Sequence, residues 1–348
     1  MEAILRKDKL NQWVAKLQES AQVYAPDFVE DAWAFTKVNP GGEVELDYTN
    51  TVRPVKGFVF PQREVLYRFS LENGKAPQLT NTEPKVEPAV VFGVRPCDGS
   101  AMVRNDKVFL CGFSDPYYET RRSQVALVGL ACETPPSPNC FCLSVGGSPH
   151  SEDGLDVLMT ALDGRYHVKA LTGKGMEIVE SARALFQEPL VADKKEVKAV
   201  HAASLEHKQR SISSQGAVAE ALRRNFESPL WDKMAQACIG CGACTFLCPS
   251  CHCFDINDEL TGRSPLTGER VRTWDNCQFP DFTMHSSGHN PRDDLGSRLR
   301  QRICHKLLYF VENHKIQQCT GCGRCITHCP VGIDIVEITN VMEEGVRQ

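Results

Sequence analysis

Two copies of one cysteine pattern, far apart in the chain, restrict its fold more than any other feature. They read CIGCGACTFLCPSCHCFD from Cys238 to Asp255 and CTGCGRCITHCPVGID from Cys319 to Asp334. Each contains C-x2-C-x2-C-x3-C-P, the run that holds a cubane [4Fe–4S] cluster and lends its fourth cysteine to the cluster of the other run. Three thiolates two residues apart must wrap one compact group. Gly240, Gly242, Gly321 and Gly323 let the backbone curl and aim N–H groups at sulfur. Pro249 and Pro330 then redirect the chain, so the fourth sulfur points away from its own triplet. The exchange predicts one cluster on Cys238, Cys241, Cys244 and Cys329, and a second on Cys319, Cys322, Cys325 and Cys248. Zinc ribbons are the alternative, but they use two ligand pairs rather than a triplet plus a cysteine before proline.

The cysteine count is itself informative. Seventeen in 348 residues is a large excess, and a disulfide-stapled secreted domain would be shorter and preceded by a signal peptide. MEAILRKDKLNQWVAKLQES lacks the apolar stretch of such a peptide and reads as a helix over Leu5 to Ala21. A net charge of −5 argues against a general nucleic-acid binder. No apolar run of roughly 18 residues is present to span a bilayer. The expected location is the cytoplasm, where clustered thiols read as metal ligands, and oxygen-sensitive clusters suggest an anaerobic host.

The N-terminal part carries a further set of thiols. Val44 to Tyr48 and Glu64 to Phe69 alternate like short strands. Pro88 to Val94 and Val125 to Ala131 are continuous apolar runs, as buried strands are, and each ends at a cysteine-bearing turn. The turns hold Cys97 and Cys132, and a Pro- and Gly-rich loop then supplies Cys140 and Cys142. Four cysteines converging on one loop region predict a third [4Fe–4S] cluster, with zinc the lesser alternative. Leu155 to Thr160 and Tyr166 to Leu171 read as a hairpin closed by Asp163-Gly164. Thr172 to Gly175 lacks phosphate-loop spacing and reads as a turn. Residues 177–225 are helical in pattern, and a last helix is expected from Ile335 to Arg347.

Between the two motifs lies an insert, about 249–318, with further cysteines and histidines. Cys251, Cys253 and Cys277 either hold another metal ion with one histidine or pack beside the clusters. His289 reads as a hydrogen-bonding loop residue, and Cys111 as structural. Arg292, Arg298, Arg300, Arg302 and Lys306 form a basic stretch. Such a stretch is a solvated surface, a docking face, or a set of charges that favours the reduced state of nearby clusters. The expected fold class is α+β. An α/β-like N-terminal domain (1–225) would precede a mostly helical, ferredoxin-like two-cluster domain (226–348).

Arg95-Pro96-Cys97-Asp98, Asp115 to Tyr118 with Arg121-Arg122, Cys132 and Cys140-Phe141-Cys142 occur in an order that resembles one family. CPSCHCFD, WDNCQF, HSSGHNPR and the basic stretch from Arg298 to Lys306 continue the likeness. The family comprises the iron–sulfur β subunit of cytosolic sulfhydrogenases and its iron–sulfur counterpart in anaerobic sulfite reductase, and the likeness begins near residue 55. The resemblance implies an electron relay that exchanges electrons with a flavin- and NAD(P)-binding partner and connects to a separate catalytic subunit. It implies that Cys97, Cys132, Cys140 and Cys142 hold the third cluster, and that Cys251, Cys253 and Cys277 share a role. Cys304 stands outside the pattern.

The sequence has no G-x-G-x-x-G fingerprint after a strand, so no flavin or NAD site is expected on this chain. The expected function is single-electron transfer within an oxidoreductase complex, with a hydrogenase, a sulfite or sulfur reductase, or a heterodisulfide-type enzyme as catalytic partner. Two readings of other classes stand beside it: a self-contained reductase with substrate at an open cluster iron, and a zinc-stabilised interaction scaffold.

Overall fold

The computed structural model describes residues 1–82, 84–213 and 217–344. The chain opens with β1 (Glu2–Arg6), a short turn, and α1 (Leu10–Leu17). The helix expected from Leu5 thus starts later, because Ala3 to Leu5 are buried by pairing on both edges, Ala3 with Val168 and Ile4 with Gln187. Then come β2 (Gln22–Val29), β3 (Ala32–Lys37), the single turn α2 (Lys56–Val59), β4 (Arg63–Leu71) and β5 (Gln78–Asn81). Val44, Leu46 and Tyr48 are buried as their alternation predicts, but the segment joins no ladder; the Tyr48 hydroxyl donates instead to the Gly93 carbonyl.

The two apolar runs form β6 (Ala89–Val94) and β7 (Val125–Leu130), every residue buried. Between them lie α3 (Pro96–Phe109) and α4 (Pro116–Gln124), whose N-cap Asp115 accepts from the Tyr117 and Tyr118 amides. The hairpin is β8 (Val157–Leu162) and β9 (Arg165–Ala170). Thr172 is not in a free turn. It caps α5 (Gly173–Glu180), its hydroxyl accepting from the Gly175 amide. β10 (Phe186–Gln187), α6 (Val191–Glu206) and α7 (Val218–Arg224) complete the first part.

These strands make an eight-stranded sheet in the order β10-β1-β9-β8-β7-β6-β2-β3. Its centre, β2, β6, β7 and β8, is parallel. Parallel strands need cover on both faces. Trp13, Val14 and Ile178 pack on one face, and Met102, Phe109 and Tyr118 on the other.

The C-terminal part contains α8 (Leu230–Ala235), α9 (Ala243–Phe246), β11 (Phe254–Arg263) and β12 (Leu266–Trp274). After them come α10 (Leu295–Cys304), continued through a π-turn at His305–Tyr309 into α11 (Phe310–His314), then α12 (Arg324–Thr327) and α13 (Ile335–Glu344). The rest of the helix expected to reach Arg347 lies outside the described residues. The insert hairpin pairs with the N-terminal part. β12 lies antiparallel to β4, Val271 opposite Val65, in a second sheet ordered β11-β12-β4-β5. The expected boundary near 225 is therefore crossed by backbone hydrogen bonds. A third core joins Leu222, Trp231, Leu299, Ile303 and Met342 to Phe141, again from both parts. The mixture of helix and strand agrees with an α+β class. Among the described residues no helix is long and apolar enough to cross a membrane.

Candidate iron–sulfur centres

The two motifs fold alike. Gly242 and Gly323 sit at φ +77° and +75° as the residues before α9 and α12, single turns that carry Cys244 and Cys325. Gly240 and Gly321 also have positive φ, +66° and +68°. This left-handed backbone is strained for any residue with a Cβ. The backbone also points donors at sulfur. The Gly321 amide lies 3.4 Å from Cys319 Sγ, and the Ile333 amide 3.1 Å from Cys329 Sγ.

Cys238, Cys241, Cys244 and Cys329 line one cavity, so the fourth thiol reaches it from the distant motif. Leu299, Ile303 and Ile335 form its apolar wall, and the buried Arg302 lines it as well. Cys248, Cys319, Cys322 and Cys325 form a second group with no side chain more than partly exposed. Burial pushes the Cys319 thiol up to about 11 and raises Cys322 and Cys325 as well, each made worse by the neighbouring sulfurs. Cys248 goes the other way. Its hydrogen bond with Cys251 and the Lys306 ammonium hold it well below the ordinary thiol value.

Cys97, Cys132, Cys140 and Cys142 line a third cavity. β6 delivers Cys97 to the first turn of α3, and its neighbour β7 delivers Cys132, whose amide bonds the Pro149 carbonyl at 2.8 Å. The loop with Cys140 and Cys142 is held against the second motif, the Phe141 amide donating to the Gly321 carbonyl at 2.9 Å. Burial pushes Cys132 up to about 11 and Cys140 up to about 12, with Arg95 opposing the shift at Cys132. Burial leaves these thiols reluctant to ionise alone; iron bound to them would displace the protons.

The three sites are contiguous. Cys325 of the second group also lines the first cavity, and Cys322 of the second group lines the third. Four cysteines from one set at each cavity, and the four of the group between them, are a donor set of the right chemistry for [4Fe–4S] clusters. Among the described residues no three His, Cys, Asp or Glu side chains gather tightly enough to grip a single metal ion.

The remaining sulfurs make contacts with one another and with nearby polar groups. Cys251 hydrogen-bonds Cys248, and Cys253 hydrogen-bonds Cys277, which also lies 3.6 Å from Thr245 Oγ1. Cys304 is buried in the helical core and Cys111 is exposed. The His289 carbonyl accepts from the His285 amide at 2.8 Å, and the two rings lie 5.4 Å apart.

Sequence reasoning missed the charges that bind the sites together. Arg324, between Cys322 and Cys325, forms a two-pronged ion pair with Asp98, next to Cys97, at 2.6 and 2.8 Å with both side chains buried. Nothing local announces a pairing across 226 positions. Lys56 is buried with its ammonium 3.0 Å from the Cys251 carbonyl and 4.2 Å from the centre of the Trp274 ring. The basic stretch had a signal in its spacing, since Arg298, Arg302 and Lys306 recur every four residues and therefore share a helix face. That face points inward.

Comparison with known proteins agrees with this chemistry. A family profile described as a 4Fe-4S dicluster domain matches residues 237–333. Sulfhydrogenase 2 subunit beta of Pyrococcus furiosus is 30% identical over 345 residues, covering 98% of both chains. No solved structure matches the chain.

Proposed function

The chain belongs to the family of sulfhydrogenase beta subunits and is an iron–sulfur electron-transfer subunit of an oxidoreductase, and on that premise we propose that it carries three [4Fe–4S] centres in a row. Cys238, Cys241, Cys244 and Cys329 hold the first, Cys248, Cys319, Cys322 and Cys325 the second, and Cys97, Cys132, Cys140 and Cys142 the third. The observation that carries the reading is the shared walls, Cys325 toward the first site and Cys322 toward the third. Clusters bound there supply one-electron oxidation and reduction, tuned by hydrogen bonds, charge and burial.

The protein's own part is to hold, exclude and orient. Apolar side chains such as Leu299 and Ile303 cover one side of the first site. The Gly321 and Ile333 amides donate to cysteine sulfur, and buried cations answer the negative charge of thiolates. The clusters of 226–348 form a ferredoxin-like unit, and the third sits at the carboxyl ends of β6 and β7. The chain works in the cytoplasm between two partners, a reductase that binds flavin and NAD(P) and a separate catalytic enzyme, itself binding neither flavin nor NAD. The catalytic partner is a hydrogenase, as the relative's name suggests, or a sulfur- or heterodisulfide-reducing enzyme.

Iron analysis of anaerobically purified protein tests the reading. Roughly twelve irons per chain, with absorbance bleached by dithionite, are expected for three cubanes. About eight would remove the third site, and a colourless, iron-free but folded protein would refute all three. Co-purification of the native complex identifies the partners.

A further inference from the structure

Three cations on one helix face are buried where no carboxylate answers them. Arg298, Arg302 and Lys306 are 7%, 5% and 2% exposed, and among the described residues none of them forms an ion pair with Asp or Glu. Burying a charge without a counter-charge is costly, so each must find its anion elsewhere. Arg298 is answered by the carbonyls of Arg292 and Asp293 at 3.1 and 2.9 Å. Arg302 donates to the Cys244 carbonyl at 2.6 Å and lies 3.7 Å from Cys251 Sγ. Lys306 differs from both. Its ammonium is 3.3 Å from Cys248 Sγ and 3.4 Å from Ser250 Oγ, with no backbone acceptor among the described residues.

We propose that Lys306 sets the reduction potential of the middle centre, the one assigned to Cys248, Cys319, Cys322 and Cys325. The inference rests on that assignment. A cluster that gains an electron gains negative charge, and a fixed cation in a dry surrounding stabilises the reduced form more than the oxidised one. Lys306 touches a ligand sulfur directly. The other buried cations beside the centres share their charge with carbonyls or a carboxylate. Arg302 meets the first through the Cys244 carbonyl, and Arg324, between the middle and third centres, is neutralised by Asp98. Arg95 hydrogen-bonds the Cys132 thiol at the third centre and shares its charge between that sulfur and the Thr49 and Tyr48 carbonyls. Lys306 therefore raises the potential of the middle centre and leaves the outer two nearly unmoved.

The test is an EPR-monitored redox titration of the full chain, purified anaerobically, as native protein and as Lys306→Met and Lys306→Arg. The middle centre's signal is the one that Cys322→Ala removes. In Lys306→Met that signal should become harder to reduce by at least tenfold in equilibrium, or about 59 mV for one electron. The other signals and the iron content should hold, and Lys306→Arg should stay close to native. If Lys306→Met does not fold, Lys306→Gln takes its place in the comparison with Lys306→Arg. A midpoint that stays put with iron retained overturns the proposal, as do equal shifts in the charge-keeping and charge-removing variants. A folded variant that loses iron from this site overturns it too, in favour of a purely structural role. Native protein with no reducible cluster defeats the three-centre reading itself, and that result precedes any variant.

Discussion

Asp98→Asn tests how the N-terminal sheet and the cluster motifs are fastened together. In the native protein the Arg324 guanidinium meets both Asp98 oxygens, and it also donates to the Thr51 carbonyl and to Asn50 Oδ1, each at 2.7 Å. The substitution keeps the shape of the side chain and most of these contacts but removes the counter-charge of an arginine that is 2% exposed. Losing one partner of a buried pair costs about 3–5 kcal/mol, because the other charge stays buried and uncompensated. A chain of ordinary stability has only about 5–15 kcal/mol in total. Anaerobic urea unfolding, followed by tryptophan fluorescence, should therefore show a large drop in midpoint. Asp98 follows Cys97, and Arg324 lies between Cys322 and Cys325, so a chelator should also extract iron faster. The double change Asp98→Leu with Arg324→Met leaves no orphaned charge and should cost much less than the sum of the single changes. A loss below about 1 kcal/mol for Asp98→Asn, or a double variant as damaged as that sum, would refute the idea that this pair clamps the two parts.

Ligation across the motifs predicts that Cys244→Ala and Cys329→Ala remove the same EPR signal; loss of two different signals would break the pairing. Gly321→Ala places a Cβ 2.5 Å from the Cys142 Cα and N at φ +68°, so the 140–142 loop must move away. Iron should fall by about four per chain, and unchanged iron content would show that the close approach is dispensable. His201 stacks on His150 at 4.2 Å, and its pKa is pushed down to about 4 from 6.5, first by burial and then by His150. The unfolded chain binds a proton there more readily, so this contribution to stability is fully present above about pH 6.5 and is lost as pH falls toward about 4. The urea midpoint should drop between pH 7 and pH 5 less steeply in His201→Gln than in native protein. Equal slopes would remove His201 from the account.

The features legible in the sequence are those whose physics is local. A cluster-binding turn needs its glycines and cysteines within a few residues, so the repeated motif can be read directly. β6 and β7 announce themselves as unbroken apolar runs, since a strand covered on both faces needs no polar side. Buried alternation at Val44, Leu46 and Tyr48 is also visible, but whether such a segment joins a ladder depends on which strand edge lies beside it. β1 reads as helix in the sequence for the same reason. Leu5 suits either period, and pairing with β9 and β10 decides between them.

The amino-acid order alone determined the cysteine spacing, the two curled motifs and the strand ends that carry Cys97 and Cys132. Tertiary structure decided which cysteines share a cavity, that the insert hairpin joins the sheet of β4 and β5, and that the basic face of α10 turns inward. It also decided that Arg324 meets Asp98. The difference is one of range. Turn geometry and apolar periodicity act over a handful of residues, whereas the energy of a buried charge or a shared wall depends on groups that only the folded chain brings together.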